Sequence, residues 1–151
     1  GSAHMSAQPQ VTTARIADWL WSQDLGYTID DDRNIVLRFE AFTIYIFVGA
    51  EFSDLLPVRG YWRPELADTD LERVDAHIRQ YTLDGVVAKL GISGRMAPPR
   101  HLFAQTTAFI GKGMSNEQLA DYLNMAVSVI GGALQEAAEA LPDLAQRQGA
   151  R

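Results

Sequence analysis

The residues of this chain that are capable of chemistry are few and scattered. The sequence contains three histidines, and His4 belongs to the first four residues, which look like a cloning remnant ahead of Met5. His77 and His101 remain, and no HxxxH or HExxH spacing places a second metal ligand beside either of them. The chain has no cysteine, which excludes disulfides, thiolate metal sites and cysteine nucleophiles. We therefore predict no metal site.

Two glycine-containing stretches have some features of catalytic or phosphate-binding loops but match neither pattern. Residues 91–94, Gly-Ile-Ser-Gly, lack the Gly-x-Ser-x-Gly spacing of a serine nucleophile. Around Lys112, a phosphate loop would need Gly at position 106 and Ser or Thr after the lysine. The chain has Thr106 and Gly113 at those positions, so a hinge between a strand and a helix explains Gly111 and Gly113 better. We predict a protein that is not an enzyme, with no catalytic residues and no cofactor.

Acidic residues are numerous, and the densest group is the triplet at positions 30–32, Asp-Asp-Asp. A calcium loop needs alternating ligands, a Gly at its sixth position and a Glu at its twelfth. The residues that follow Asp30 do not have this order, so a solvated turn with Arg33 and Asn34 is the better interpretation. Other acidic pairs, such as Asp68 and Asp70, fall on polar faces where solvent exposure is usual.

Composition indicates one globular domain. The chain has 151 residues, 47% of them hydrophobic, and a net charge of -6, a size that can bury a sizeable core. The negative net charge argues against nucleic acid and anionic membranes as partners, because both bind protein surfaces rich in lysine and arginine. No apolar run approaches the roughly 20 residues of a membrane span. Residues 6–13 are too polar for a signal peptide, so we expect a soluble cytoplasmic protein.

Hydrophobic periodicity and turn signals predict the elements and the domain limits. Helices are expected at 12–24, 70–83 and 115–141, and strands at 35–40, 43–48, 56–62, 86–92 and 102–110, with a short extended piece at 27–29. Thr12 or Thr13 caps the first helix, Asp68 or Thr69 the second, and a capping box that begins at Ser115 opens the third. We divide the chain into a tag remnant and disordered leader at 1–11, a single domain at 12–144 and a flexible tail at 145–151.

The order of these elements is helix, three strands, helix, two strands, helix. It predicts an α+β fold in which a mostly antiparallel five-stranded sheet carries the N- and C-terminal helices on one face. Gly131 and Gly132 lie inside the apolar stripe of the last helix. Two interpretations stay open for them: a kink or a close approach by a strand, and a tight helix contact across a dimer.

The second half of the chain resembles a known family. The matching text is Leu71–Ile78 (LERVDAHI), leading into the strand that begins at Val86, then the strand Leu102–Ile110 and the helix start Met114–Leu119 (MSNEQL). This text and the element order are similar to the YbjN family, whose members are often labelled bacterial sensory transduction regulators and share the fold of type III secretion chaperones. The resemblance implies a binding module or chaperone-like adaptor, and the family offers no catalytic residues to carry over.

Alternation along the predicted strands separates two faces of the sheet. One face is aliphatic and belongs under the helices. The other carries aromatic residues mixed with arginine, a composition enriched in the cores of protein interfaces. The predicted partner-binding residues on this face are Tyr45, Phe47, Tyr61, Phe103, Arg38 and Arg59. The alternative interpretation is that the second helix covers this face within the chain.

These observations favour a non-catalytic protein-binding domain that acts as a chaperone-like adaptor or regulator. The alternative function is a small-ligand sensor with a pocket between the sheet and the second helix. We expect a protein partner or a homodimer, and neither nucleic acid nor membrane. The dimer expectation rests on the chaperone-like fold and on apolar side chains that we expect at the surface, such as Trp21, Tyr45 and Trp62.

Overall fold

A computed structural model describes residues 8–49, 54–85 and 87–147 of the chain. The helices are α1 (Thr13–Ser22), α2 (Leu71–Leu83), α3 (Asn116–Ala140) and α4 (Pro142–Ala145). The strands are β1 (Thr28–Ile29), β2 (Ile35–Arg38), β3 (Phe42–Ile46), β4 (Leu55–Trp62), β5 (Lys89–Ser93) and β6 (His101–Phe109). The predicted α+β class is confirmed, with the order of the long elements as expected.

The strands form one antiparallel sheet in the order β1-β2-β3-β4-β6-β5. The prediction of five strands is wrong by one, because the short extended piece pairs with β2 as a sixth strand, with Thr28 opposite Val36. The segment that contains α2 carries the chain to the far edge of the sheet. There β5 forms the edge, and β6 returns to lie between β5 and β4.

The core lies between the aliphatic face of the sheet and the helices. It is built from alternate strand residues and from the apolar stripes of α1 and α3, including Ile16, Leu20, Ile44, Ile46, Val58, Leu102, Leu123, Ile130 and Leu134. Gly60 on β4 lets α3 approach closely, since a Cβ at this position would lie 2.4 Å from Cγ2 of Ile130. Trp62 is only 1% exposed and belongs to this core, so the expectation of Trp62 at the surface is wrong.

Local hydrogen bonds fix the starts of α1 and α3 as the sequence predicts. The Thr12 hydroxyl accepts from the backbone N–H of Arg15 at 3.2 Å. Ser115 and Gln118 form the predicted capping box, with N–O distances of 2.8 and 3.0 Å. These caps satisfy N–H groups that have no partner within the helix.

The start of α2 differs from the prediction. A 3-10 turn, Asp68–Asp70, precedes the helix, and neither Asp68 nor Thr69 caps it. The Asp70 carboxylate instead accepts from the backbone N–H of Ala67 at 2.7 Å and pairs with Arg147. That ion pair joins α2 to the chain just after α4, inside the segment predicted as a flexible tail. The rest of that segment, residues 148–151, lies outside the described residues.

The helix α2 lies on the same side of the sheet as α1 and α3. Val74 is fully buried in the shared core, and Leu71, Ile78 and Tyr81 pack against it. Arg73 pairs with Asp143 of α4 at 2.8 Å. The interpretation in which this helix covers the aromatic face is therefore wrong.

The described end of the predicted leader packs against the domain. Val11 is buried, and the carbonyl of Pro9 accepts from the backbone N–H of Met114 at 3.0 Å. The guanidinium of Arg15 donates to the carbonyls of Pro9 and Met114 at 2.9 and 2.8 Å. Residues 8–11 are thereby held at the start of α3, and residues 1–7 of the leader lie outside the described residues.

The helix α3 continues without interruption through Gly131 and Gly132. A Cβ at Gly131 would lie 3.4 Å from the ring of Phe42 on β3, while nothing lies within 4 Å of one at Gly132. Both glycines therefore lie in an unbroken helix, and Gly131 faces Phe42 at ordinary van der Waals distance. Among the described helices, none is long and apolar enough to cross a membrane.

Candidate binding surface

The side of the sheet away from the helices, here called the open face, carries the predicted aromatic and arginine residues. Cross-strand pairing puts Tyr45, Arg59, Gln105 and Lys89 in one row across four strands. It puts Arg38, Thr43, Tyr61, Phe103 and Gly91 in the neighbouring row. Residues directly opposite each other share a face, so the strand register assumed from the sequence is correct. The buried residues of all four helices belong to the core on the other side, and no described helix covers the open face.

Four aromatic rings form a continuous diagonal stripe across β3, β4 and β6. Phe47 stacks on Tyr45 with 6.0 Å between ring centroids, and Tyr45 meets Tyr61 edge-on at 5.7 Å. Tyr61 lies 6.3 Å from Phe103 in a tilted arrangement. These separations are typical of favourable aromatic pairs. Tyr45, Phe47 and Tyr61 are half-buried, so part of each ring faces solvent.

Arg59 is fixed against the stripe. Its guanidinium lies 4.0 Å from the ring centroid of Phe103 and 5.7 Å from that of Tyr61. Its Nε donates to Oε1 of Gln105 at 2.7 Å, and its Nη1 donates to the Tyr61 hydroxyl at 3.2 Å. Stacking and hydrogen bonding together hold the planar group in one orientation.

Phe103 is the least accessible member of the predicted set, at 9% exposure. The guanidinium of Arg59 lies over its ring, and the tip of the ring lies next to Gly91 of β5. A Cβ at Gly91 would lie 2.6 Å from Cζ of this ring, so any other residue there would force the ring to move. Gly91 was not among the predicted site residues, although a glycine inside a strand is a signal for close packing.

Arg38 lies on the open face at the opposite margin, on β2. Its side chain is exposed, and its Nη1 donates to the Thr28 hydroxyl of β1 at 3.0 Å. It lies opposite Thr43 rather than within the aromatic stripe. The six predicted residues therefore share one face, with Arg59 inside the stripe and Arg38 beside it.

A groove of about 480 Å³ follows β3 along the open face. Thr43, Tyr45, Phe47 and Tyr61 line its length. Its two ends carry residues that sequence reasoning did not place here: Asp30, Asp32 and Asn34 at one end, and Arg63 and His101 at the other. Their role could not be read from alternation, because they come from the turns and strand ends that the sheet brings together.

The polar groups at the ends of the groove also form hydrogen bonds within the protein. The Asp30 carboxylate accepts from the backbone N–H groups of Asp32 and Asn34 at 3.0 and 2.9 Å, which makes a stable turn. Arg63 donates to the carbonyl of Phe39 through Nε at 2.9 Å. Nδ1 of His101 lies 2.8 Å from the carbonyl oxygen of Trp62. Within the described residues, no three His, Asp or Glu side chains converge as a metal site would require.

The carboxyl groups with clearly lowered pKa values lie on the helical side. The ion pair with Arg73 lowers the pKa of Asp143 to about 2. The hydrogen bonds from Arg147 lower the pKa of Asp70, although its burial acts in the opposite direction. Both carboxylates are ion-pair partners that tie α2 to the C-terminal segment, which is a structural role.

Comparisons with known proteins identify the fold. No protein-family model and no curated protein matches the sequence. The structure is similar to YbjN from E. coli, described as a proposed transcription regulator, with a TM-score of 0.71 and 12% identity over 87% of this chain and 96% of that one. It is also similar to the HopA1-SchA chaperone-effector complex, with a TM-score of 0.54 and 13% identity over 83% of this chain and 96% of that one.

A third similar structure is an uncharacterized protein from Methanothermobacter thermautotrophicus, with a TM-score of 0.50 and 13% identity over 92% of this chain and all of that one. At these identities the likeness shows the fold alone. The resemblance to YbjN inferred from the sequence is confirmed at that level. The chain has a YbjN-like α+β fold that is shared with a chaperone-effector complex.

Proposed function

We propose that this chain is a non-catalytic protein-binding domain, a chaperone-like adaptor or regulator, and that it binds a polypeptide through the open face. The observation that carries the proposal is the aromatic stripe, which the described helices leave uncovered. Tyrosine and arginine are enriched among the side chains that dominate binding energy at interfaces. On this face the two residue types lie in direct contact.

The rigidity of the stripe supports a binding role. Tyr61 contacts rings on both sides and accepts a hydrogen bond from Arg59. Binding then costs less side-chain entropy, because these groups are already ordered. Anchors of this kind can each contribute about 2 kcal/mol or more to affinity.

The shape of the groove also favours a polypeptide. It follows β3, whose five residues span about 16 Å at roughly 3.3 Å per residue. An extended segment of four or five residues matches that length. The small-ligand alternative needed a pocket between the sheet and α2, and no α2 residue lines this groove. The similar structures, a proposed transcription regulator and a chaperone-effector complex, support binding rather than catalysis.

Affinity purification from the source cell tests the proposal. The wild-type chain, the double variant Tyr45→Ala/Tyr61→Ala and the control variant Arg79→Ala would be compared by quantitative mass spectrometry. Arg79 is exposed on α2, which packs on the other side of the sheet from the open face. We expect a recurrent protein that the double variant loses and the control retains. Equal recovery with all three proteins, each shown to be folded by circular dichroism, would contradict the proposal.

A further inference from the structure

The strands carry a charge balance opposite to that of the whole chain. The protein has 19 acidic residues against 13 lysines and arginines. The six strands nevertheless contain Arg38, Arg59 and Lys89 and no aspartate or glutamate. Cross-strand pairing places all three cations on the open face. The strands therefore give the open face three cations and no carboxylate, and its aspartates, Asp30 and Asp32, lie at one end of the groove.

These three cations form no ion pair among the described residues. The four ion pairs of the described chain involve Arg73, Arg95, Arg100 and Arg147, which lie off the strands. Carboxylates are abundant in this protein, yet none in the described part of the chain pairs with Arg59. A half-buried guanidinium without a counterion gains most from a ligand that supplies one.

Arg59 has donors to spare in a fixed direction. A guanidinium has five N–H donors, and with described residues those of Arg59 make two hydrogen bonds, to Gln105 and to the Tyr61 hydroxyl. Three N–H groups have no hydrogen bond to this part of the chain, and the contact with Phe103 fixes the plane in which they point. That geometry suits the two oxygens of a carboxylate.

We propose that the occupant of the open face is an acidic polypeptide segment, in which Asp or Glu alternates with apolar side chains. Its carboxylates lie against Arg59 and Arg38 and its apolar side chains against the aromatic stripe. The inference rests on the proposed function and adds the chemistry of the partner. Asp30 and Asp32 at one end of the groove determine how the bound segment is placed, because they repel carboxylates there.

The same charges disfavour two other occupants. If a second copy docked through its own open face, Arg38, Arg59 and Lys89 of the two copies would face each other, and their like charges would repel. A nucleic acid carries a phosphate at every nucleotide, so its backbone could not avoid Asp30 and Asp32. A polypeptide can place its carboxylates next to Arg59 and Arg38 and away from Asp30 and Asp32.

Peptide selection on the 151-residue chain identifies the kind of peptide that the open face prefers. A random 12-residue peptide library displayed on phage would be selected on the wild-type protein, with counter-selection on Tyr45→Ala/Tyr61→Ala. We expect the recovered peptides to be enriched in Asp and Glu next to aromatic or aliphatic residues. Neutral or basic peptides that need Tyr45 and Tyr61 would overturn the charge inference and leave the proposed function standing. Failure to recover any peptide that depends on the face would count against both.

Matched peptides then measure the charge contribution with the protein unchanged. The best acidic peptide and its Glu→Gln form would be labelled and titrated by fluorescence anisotropy. We expect the Gln form to bind about tenfold more weakly, in line with the strength of charge-assisted hydrogen bonds. Arg59→Gln should weaken the acidic peptide similarly, while the control Arg79→Gln, which removes the same charge from an exposed site on α2, should not. Equal affinity of the two peptides, or tighter binding of a 12-nucleotide oligouridine, would overturn the inference.

Discussion

At the residue scale, Phe103 links Gly91 of β5 to Arg59 of β4. The missing Cβ of Gly91 leaves space for the tip of the Phe103 ring, and the guanidinium of Arg59 lies 4.0 Å from the centroid of that ring. The orientation of Arg59 therefore depends on a residue two strands away.

We predict that Gly91→Ala destabilises the protein. The added Cβ would lie 2.6 Å from Cζ of Phe103, so the ring must move and lose its contact with Arg59. The expected loss is about 1–3 kcal/mol of the free energy of unfolding, as in other overpacked sites, measured by urea denaturation. Gly26→Ala is the matched control, since nothing lies within 4 Å of a Cβ there. An unchanged stability of Gly91→Ala would show that the ring can rearrange freely.

The Asp70–Arg147 ion pair gives a prediction for pH. Because the pKa of Asp70 is lower in the folded protein than in the unfolded chain, its carboxylate stabilises the fold above the unfolded pKa. That contribution decreases as the pH falls from about 5 through the lowered folded value. Asp70→Asn should therefore destabilise the protein at pH 7 more than at pH 2.5, measured by urea denaturation at each pH. An equal effect at both pH values would contradict this role.

At the scale of elements, alternation along the strands was enough to predict the two faces of the sheet. Tyr45, Arg59 and Phe103 face the same side because each lies at the expected parity of its strand. The short strand Thr28–Ile29 was not counted because two residues show no periodicity. The predicted fourth strand began at Val86, which lies outside the described residues, whereas β5 begins at Lys89.

The position of α2 could not be predicted from the sequence. Its apolar stripe fits either side of a sheet, and the choice depends on distant partners. Val74 enters the common core, Arg73 pairs with Asp143, and Asp70 pairs with Arg147, 77 residues away. These contacts hold α2 on the same side of the sheet as α1 and α3, so α2 does not cover the aromatic face.

Replacement of glycine by alanine should have opposite effects at Gly132 on α3 and at Gly60 on β4. Gly132→Ala should stabilise the protein by about 0.5–1 kcal/mol, because the position is helical and has free space for a Cβ. Gly60→Ala should destabilise it, because the Cβ would meet Ile130 at 2.4 Å. Thermal and urea unfolding of both variants check this pair. A destabilising Gly132→Ala would instead favour the tight helix contact across a dimer.

At the scale of the whole molecule, we propose a homodimer that leaves the open face available. Trp21 is 84% exposed on α1, on the opposite side from the aromatic stripe, while like charges disfavour pairing through the open face. Multi-angle light scattering at high micromolar concentration should report a dimer for the wild type and for Tyr45→Ala/Tyr61→Ala. A monomer at every concentration would contradict the dimer, and a dimer lost only in the double variant would place the interface on the open face.

The central claim is that a polypeptide partner lies on the open face, and site-specific photo-crosslinking tests it most directly. A photoreactive amino acid would replace Thr43 in the groove, Thr107 beside the stripe, or Ser128 on the exposed side of α3. With the partner recovered by affinity purification, we predict crosslinks from positions 43 and 107 and none from position 128. Crosslinking from position 128 alone would place the partner on the helices and contradict the account.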